Sequence, residues 1–465
     1  MINKLSVDCL TAIEYGLKDG GACFVSNYPG YHSYDLFKKF DQTQISVDER
    51  VAFQRSYGSA LAGKRSVAIL KGIGLASACD EYFHSILYGV NAGLVIVVFD
   101  DTNVVSSPEM FDSRYFYNHY GGLWFEPGSI QQTYDTCRKA FLLSEKYDIP
   151  VVIRITGGHF HLSKKEIIRK KKVRAFSKNT FAKITKREKN ISPWSNRVFD
   201  WERKIQRINR DFSLLNTAEK HDEDNKIRSV LVRVGAAEAK VNKKYDLELN
   251  INSYPFPKIE LLNLINKDIH FDVVEEGLPF AQGAIEGLRQ ITTRVQFKNH
   301  HPRPEWLTFS TYEKLFRGLK SLHPKVVIGD EGSYTNETTK TIQFCFCYGA
   351  SVGVTLGIAE AGVDYPWCVT GDAAFLHGGY SAVVEAVNRG ISMGIVIINN
   401  KIASATGGQK IIQHEMQLPK NVNVIKTEYT TTTEKEFTKI FKQFNRTKGV
   451  SVLVVGYKEQ YESAI

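Results

Sequence analysis

Residues 370–400 read TGDAAFLHGGYSAVVEAVNRGISMGIVIINN, and they hold the side chains best placed to do chemistry. The apolar run before Gly371-Asp372-Ala373 predicts a strand, residues 380–388 a helix, and the run before Asn399-Asn400 a second strand. Two parallel strands joined by a crossover helix bring both carboxyl ends to one sheet edge, where open α/β sheets bind ligands. Asp372 and Asn400 are therefore expected to meet there. A carboxylate and an amide oxygen suit a hard cation, and Mg²⁺ takes six oxygens, commonly including water and phosphate. Asp372, the Asn400 side chain, the Ile402 carbonyl, two diphosphate oxygens and a water complete such an octahedron. Gly371 and the small Ala373 let the backbone approach the phosphates closely. Gly, Asp and Asn also fill such loops for turn reasons alone, so the pattern by itself leaves a plain turn open.

A site at a strand edge needs a parallel sheet beneath it, and the chain alternates strands and helices as such a sheet requires. In the first 160 or so residues, 66–70, 94–99 and 151–155 read as strands, and 46–62 reads as a helix opened by the capping box Ser46-x-x-Glu49. Residues 164–225 turn basic, then mixed in charge, around a helical 194–215, and are the best linker candidate. Strands return near IRSVLVRVG and HFDVVEE within 226–298, and again at 325–329, 367–370, 394–398 and 450–455 within 299–465. The expected division is thus 1–163, 164–225, 226–298 and 299–465.

The 465 residues are 43% hydrophobic and 24% charged, which excludes a disordered or fibrous chain. No apolar run approaches the roughly 18–20 residues of a membrane span. Asp8, Glu14 and Asp19 interrupt what a signal peptide would keep apolar. Cysteines 9, 23, 79, 137, 345, 347 and 368 are scattered, which fits a reducing compartment and lacks the spacing of an iron–sulfur or zinc ligand set. A cytoplasmic protein is expected. The net charge of +10 is concentrated in 164–189 without a zinc-finger, RRM or helix-turn-helix signature, so a solvated linker is expected and no nucleic acid.

Gly-Asp-small followed at this distance by Asn-Asn resembles the fingerprint of thiamine diphosphate enzymes. SATGGQ (404–409) resembles the glycine-rich stretch that follows it in 2-oxoacid:ferredoxin oxidoreductases. GDAAFLHGG, NYPG (27–30), SVDERVA (46–52), LKGIGLASACD (70–80), VVFDDTNVVSSPEMFDSR (97–114), LSEKYDIPVVIRIT (143–156) with His161, and VVEEG (273–277) resemble, in the same order, the large subunit of indolepyruvate:ferredoxin oxidoreductase. The resemblance implies a pyrimidine-binding domain, a linker, a smaller transketolase-C-terminal-like domain and a diphosphate-binding domain. It also implies thiamine diphosphate with Mg²⁺ held across a domain interface, and a homodimer. Thr406 and Gly407 would join Gly371, Asp372, Ala373 and Asn400 around the cofactor. Glu49 would face N1′ of the aminopyrimidine, favouring the 4′-imino form that removes the C2 proton; its competing role is the capping box. His161 and His377 match family positions. Arg114 matches an arginine that meets the substrate carboxylate, for which a guanidinium fork is suited. His84 and His159 are weaker candidates, more in keeping with core or surface histidines.

The chain departs from that resemblance in three places. No cysteine-rich ferredoxin-like domain follows 450–455. RPEWLTFSTYEK (303–314) lacks the cysteine found there in the family. YPGYHSY replaces the usual YPGTPSS, putting Tyr31 and His32 at the turn, and Ala405 replaces an asparagine. The first two remove a wired electron path, so the expectation is non-oxidative decarboxylation of a 2-oxo acid, arylpyruvates included. The product would be an aldehyde by protonation or an acyloin with a second carbonyl acceptor, with the His32 imidazole as proton donor. Two alternatives stay open: an oxidoreductase subunit relying on a partner's iron–sulfur clusters, and a non-catalytic subunit of the same fold.

Overall fold

The structure, a computed structural model, describes all residues except 1–3, 42–43, 103–109, 174–194, 213–216, 221–226, 238–242, 256–260, 262–263, 265–268, 291–311, 404–408, 412–416 and 458–465. The described chain groups into two compact units. One comprises residues from 1–45, 65–176 and 194–298; the other joins 46–64 to residues of 299–465.

The first unit is built on a six-stranded sheet in the order Ser253–Tyr254, Leu123–Phe125, Val151–Ile155, Leu94–Phe99, Ser66–Lys71, Phe24–Asn27. All neighbours are parallel except the first pair. Leu94–Phe99 and Val151–Ile155 are buried along their whole length, which is why they read as unbroken apolar runs. A second sheet in the order His270–Val274, Ser229–Val234, Leu247–Ile251, Thr217–Lys220 is parallel except for its last strand. Lys4–Val7 pairs antiparallel with Lys165–Ile168, so part of the stretch read as linker is a strand. The helix within that stretch spans Ser195–Phe212.

The second unit carries a fully parallel sheet in the order Phe344–Cys345, Val327–Gly329, Trp367–Gly371, Met393–Asn399, Val450–Gly456, Asn423–Glu428. Trp367, Phe437, Phe441 and Leu453 lie in the core on one of its faces. Asn423–Glu428, with no fully buried residue, is a strand that hydrophobicity did not reveal.

One stretch departs from a division along the chain. The helix Glu49–Leu61 belongs to the second unit, packed on the helix Ser351–Glu360. The approach is backbone-close: a Cβ on Gly58 would overlap the Val354 carbonyl, and one on Gly357 the Arg55 carbonyl. Every residue from Val51 to Leu61 is buried, including Gln54, Arg55, Ser56 and Ser59.

The predicted capping box is not what starts this helix. Asp48 is the cap, its carboxylate accepting from Val51 N at 2.7 Å. The Ser46 hydroxyl is engaged by the Arg55 guanidinium at 2.8 Å. Glu49 is therefore the first helical residue and not the fourth member of a capping box.

Candidate active site

In the second unit the ends of Val327–Gly329, Trp367–Gly371 and Met393–Asn399 place Asp330, Asp372 and Asn400 along one sheet edge. The register pairs Gly371 with Ile398, so Asp372 and Asn400 leave adjacent strands at nearly the same level. The Asp372 carboxylate is buried and accepts from Ala373 N and Lys401 N, both at 2.8 Å. It thereby ties the two strand ends together. Lys401 takes a left-handed conformation (φ 62°), turning the chain into a small hairpin of Ile402–Ala403 with Gln409–Lys410. The Asn400 side-chain oxygen accepts from Ile402 N at 3.3 Å. Thr406 and Gly407 lie outside the described residues.

These groups fit a diphosphate-bound cation. A carboxylate has acceptor capacity beyond its two backbone bonds, and the Asn400 and Ile402 oxygens complete an all-oxygen donor set. Gly371 has φ −82°, which any residue adopts. A Cβ there would meet only Tyr334 Cε1, at 3.8 Å. The glycine is thus not demanded by its protein neighbours, and the space beside it is open to a ligand.

From Asp372 a helical run continues to Asn388, passing through a π-helical turn at Phe375–Gly379, a distortion frequent at functional sites. At that turn Gly349 (φ 78°) presses against it; a Cβ there would lie 2.8 Å from Ala374 O and 3.2 Å from His377 Nδ1. His377 is exposed, its ring 5.2 Å from that of Tyr348. Arg50 donates to the His377 carbonyl at 3.4 Å, which sets the start of the Glu49 helix beside this turn. Burial, with repulsion from Asp48, raises the Glu49 pKa above its ordinary value.

The sequence reading missed Asp330, Tyr334 and Tyr348. Asp330 is fully buried and its carboxyl is pushed up to about 6 by burial, although Ser351 N donates to it at 2.6 Å. Its other oxygen and the buried Tyr334 hydroxyl have no hydrogen-bond partner among the described residues. Burial, then Asp330, raises the Tyr334 phenol; burial, then Asp372 and Asp330, raises Tyr348. Asp330 follows a strand directly, as Asp372 does, and that signal could have found it.

In the first unit His32 packs on the residue before His161. The rings of His32 and Phe160, the residue before His161, are 4.0 Å apart, and Tyr31 lies 4.4 Å from His32. His32 Nδ1 is 3.3 Å from Asp35, and Tyr31 is raised by burial and by Asp101 and Glu276. His161 opens on a cavity of about 380 Å³ lined also by Gly158, Ala237, Val273 and Glu276. His159 is buried, with Nδ1 accepting from Thr156 N at 3.0 Å; it caps a helix, and burial lowers its pKa.

Arg114 is not available as an anion fork. It is fully buried and donates to Asp112, to Glu275 at 2.7 Å, and to the carbonyls of Glu276 and Leu278 at 2.6 and 2.9 Å. Its predicted role on a substrate carboxylate is corrected accordingly, because its donors already serve a buried ion network.

Residues 330–465 match the thiamine pyrophosphate enzyme family in its C-terminal TPP binding domain. The chain is similar to indolepyruvate oxidoreductase subunit IorA of Archaeoglobus fulgidus, 24% identical over 86% of this chain and 75% of the relative. It is equally similar to that of Pyrococcus abyssi, 24% identical over 86% and 74%. Its fold matches 4-hydroxybenzoylformate decarboxylase of Rhodococcus jostii (TM-score 0.53, 11% identity, 97% and 99% covered). It also matches benzoylformate decarboxylase of Polynucleobacter necessarius (TM-score 0.50, 13% identity, 97% and 98% covered). Among the described residues no helix is long and apolar enough to cross a membrane.

Proposed function

We propose, for a chain whose residues 330–465 match a thiamine pyrophosphate enzyme C-terminal domain, a thiamine diphosphate- and Mg²⁺-dependent homodimeric enzyme that decarboxylates a 2-oxo acid without an oxidant. The observation that carries this reading is the edge where Asp372 bonds across to Lys401 N beside the open space at Gly371. When bound, the cofactor supplies a carbon nucleophile for the 2-oxo carbonyl and takes up the electron pair left as carbon dioxide departs. Asp372, Asn400 and the Ile402 carbonyl hold the cation, and Gly371, Ala373, Thr406 and Gly407 receive the diphosphate. Glu49, raised in pKa and the first residue of its helix, holds the proton at the aminopyrimidine ring nitrogen. His32 or His161 delivers a proton to the product carbon to give an aldehyde, or polarises a second carbonyl to give an acyloin. His377 lies in the helical turn after Asp372 and is assigned to orientation there. The aromatic surface of Tyr31, His32 and Phe160 suits an aryl side chain.

The relatives' name favours a second reading, in which the same site serves an oxidoreductase and a partner's iron–sulfur clusters take the electrons. Carbon dioxide release separates the two. With thiamine diphosphate, Mg²⁺ and a panel of aliphatic and aromatic 2-oxo acids, release without an acceptor is expected, falling about 10²–10³-fold in Glu49→Gln. Silence broken only by a redox dye would sink the first reading and sustain the second.

A further inference from the structure

We infer that Glu385 is a positioning residue for Glu49, holding the strap that delivers this carboxyl to the cofactor. The inference rests on the proposed role of Glu49 and deepens it. Glu385 is 2% exposed and sits on the helical run that begins at Asp372. One of its oxygens accepts from Val47 N at 2.9 Å, two residues before Glu49. The other meets Arg55 at 2.9 Å, on the Glu49 helix itself, and Arg389 at 2.7 Å. Arg55 in turn forks onto Glu360, at 2.7 and 2.5 Å, and donates to Ser46 at 2.8 Å. Arg389 lies 3.7 Å from Glu360 and completes the quartet.

Two guanidinium groups and two carboxylates balance to zero in a site from which water is largely excluded. Such a set is costly to disturb, because removing one charge leaves its partner buried and uncompensated. Its geometry has a direction. Ser46 is held by Arg55, Val47 by Glu385, and Asp48 by its own cap on Val51 N. Three consecutive residues are pinned, and the fourth is Glu49. A carboxyl that must meet one ring nitrogen needs support of this kind, since small errors of placement cost large factors in rate. The same helical run carries Asp372 at its first turn and Glu385 near its last, so one element serves both the cation ligand and the Glu49 strap.

The test measures hydrogen–deuterium exchange at C2 of protein-bound thiamine diphosphate with Mg²⁺, by NMR of acid-quenched samples, beside the cofactor Kd. The proteins are wild type, Glu49→Gln, Glu385→Gln and Glu360→Gln. Glu360→Gln removes a charge from the same quartet without touching Val47. Expected are losses of exchange of more than about 100-fold in Glu49→Gln and about 10-fold or more in Glu385→Gln, and less than about 3-fold in Glu360→Gln. The Kd should move by less than about 3-fold in Glu385→Gln. Wild-type exchange in Glu385→Gln with loss in Glu49→Gln overturns the positioning inference and leaves the role of Glu49 intact. Undiminished exchange in Glu49→Gln overturns that role itself. Equal losses in Glu385→Gln and Glu360→Gln overturn the inference by making the effect one of general stability. Should Glu385→Gln not fold, Val47→Pro removes the strap donor while keeping the quartet; a loss of exchange there supports the inference, and wild-type exchange overturns it.

Discussion

Both units end their parallel strands in acidic residues, yet they treat them in opposite ways. In the first unit Arg114 and Arg154 lie among Asp100, Asp112, Glu126 and Glu275, all fully or nearly buried. Burial pushes Asp112 up, but Arg154 and Arg114 more than offset it and hold its pKa below the ordinary value. Asp100 stays raised, burial outweighing the attraction of Arg154. In the second unit Asp330 and Glu49 are both raised by burial, and no cation is among the causes that act on either. A carboxylate set against a guanidinium is part of the scaffold. A carboxyl kept high in pKa, with acceptor capacity to spare, can exchange a proton or meet a ligand.

The largest effect should come from breaking the closed network. Arg114→Ala takes the guanidinium from Glu275 and leaves Asp112 with Arg154 alone, and denaturant unfolding should show a loss of about 3–5 kcal/mol. A stable Arg114→Ala protein impaired only in substrate affinity would erase the contrast and restore Arg114 to the substrate. Next comes the open edge. Asp372→Ala should lower activity about 10³-fold, roughly 4 kcal/mol in the barrier, while the cofactor-free protein loses less than about 2 kcal/mol of stability. Chelation with EDTA should abolish wild-type turnover, and Mg²⁺ should restore it; turnover that survives chelation would remove the cation from the reading.

Gly371→Ala sharpens the point, since a methyl there meets no close protein atom. Stability should change by less than about 1 kcal/mol, while titration calorimetry should find cofactor binding weakened about tenfold or more. An unchanged Kd would mean the diphosphate lies elsewhere.

The last effect is a pH dependence. With its folded pKa at about 6, Asp330 binds more protons in the folded than in the unfolded state between its ordinary value and that pKa. Its contribution to stability is present below this window and is lost as pH rises through it. Asp330→Asn keeps an acceptor for Ser351 N and removes the titration. Relative to wild type, the cofactor-free variant should gain little near pH 4 and about 2–3 kcal/mol by pH 7–8. An equal difference at both ends would show that Asp330 is not held high.

Much of this was legible along the chain. Leu94–Phe99 and Val151–Ile155 stand out because a strand covered on both faces must be apolar throughout. Asp372 and Asn400 could be placed together because a crossover helix between parallel strands fixes which ends share an edge. Asn423–Glu428 escaped because an edge strand without a buried face carries no such run. The start of the Glu49 helix was misread because Ser46 answers to Arg55 nine residues on, leaving Asp48 to cap. Arg114 was misread because its partners Glu275, Glu276 and Leu278 lie more than 160 residues away.

The sequence by itself therefore determined the long buried strands, the crossover and the pair Asp372 and Asn400 at its ends, since apolar spacing and local backbone preference act between near neighbours. Only the tertiary structure decided which carboxyl groups meet a cation and which stay open, and which segment pins Glu49. Burial and charge act through space, between residues the chain keeps far apart.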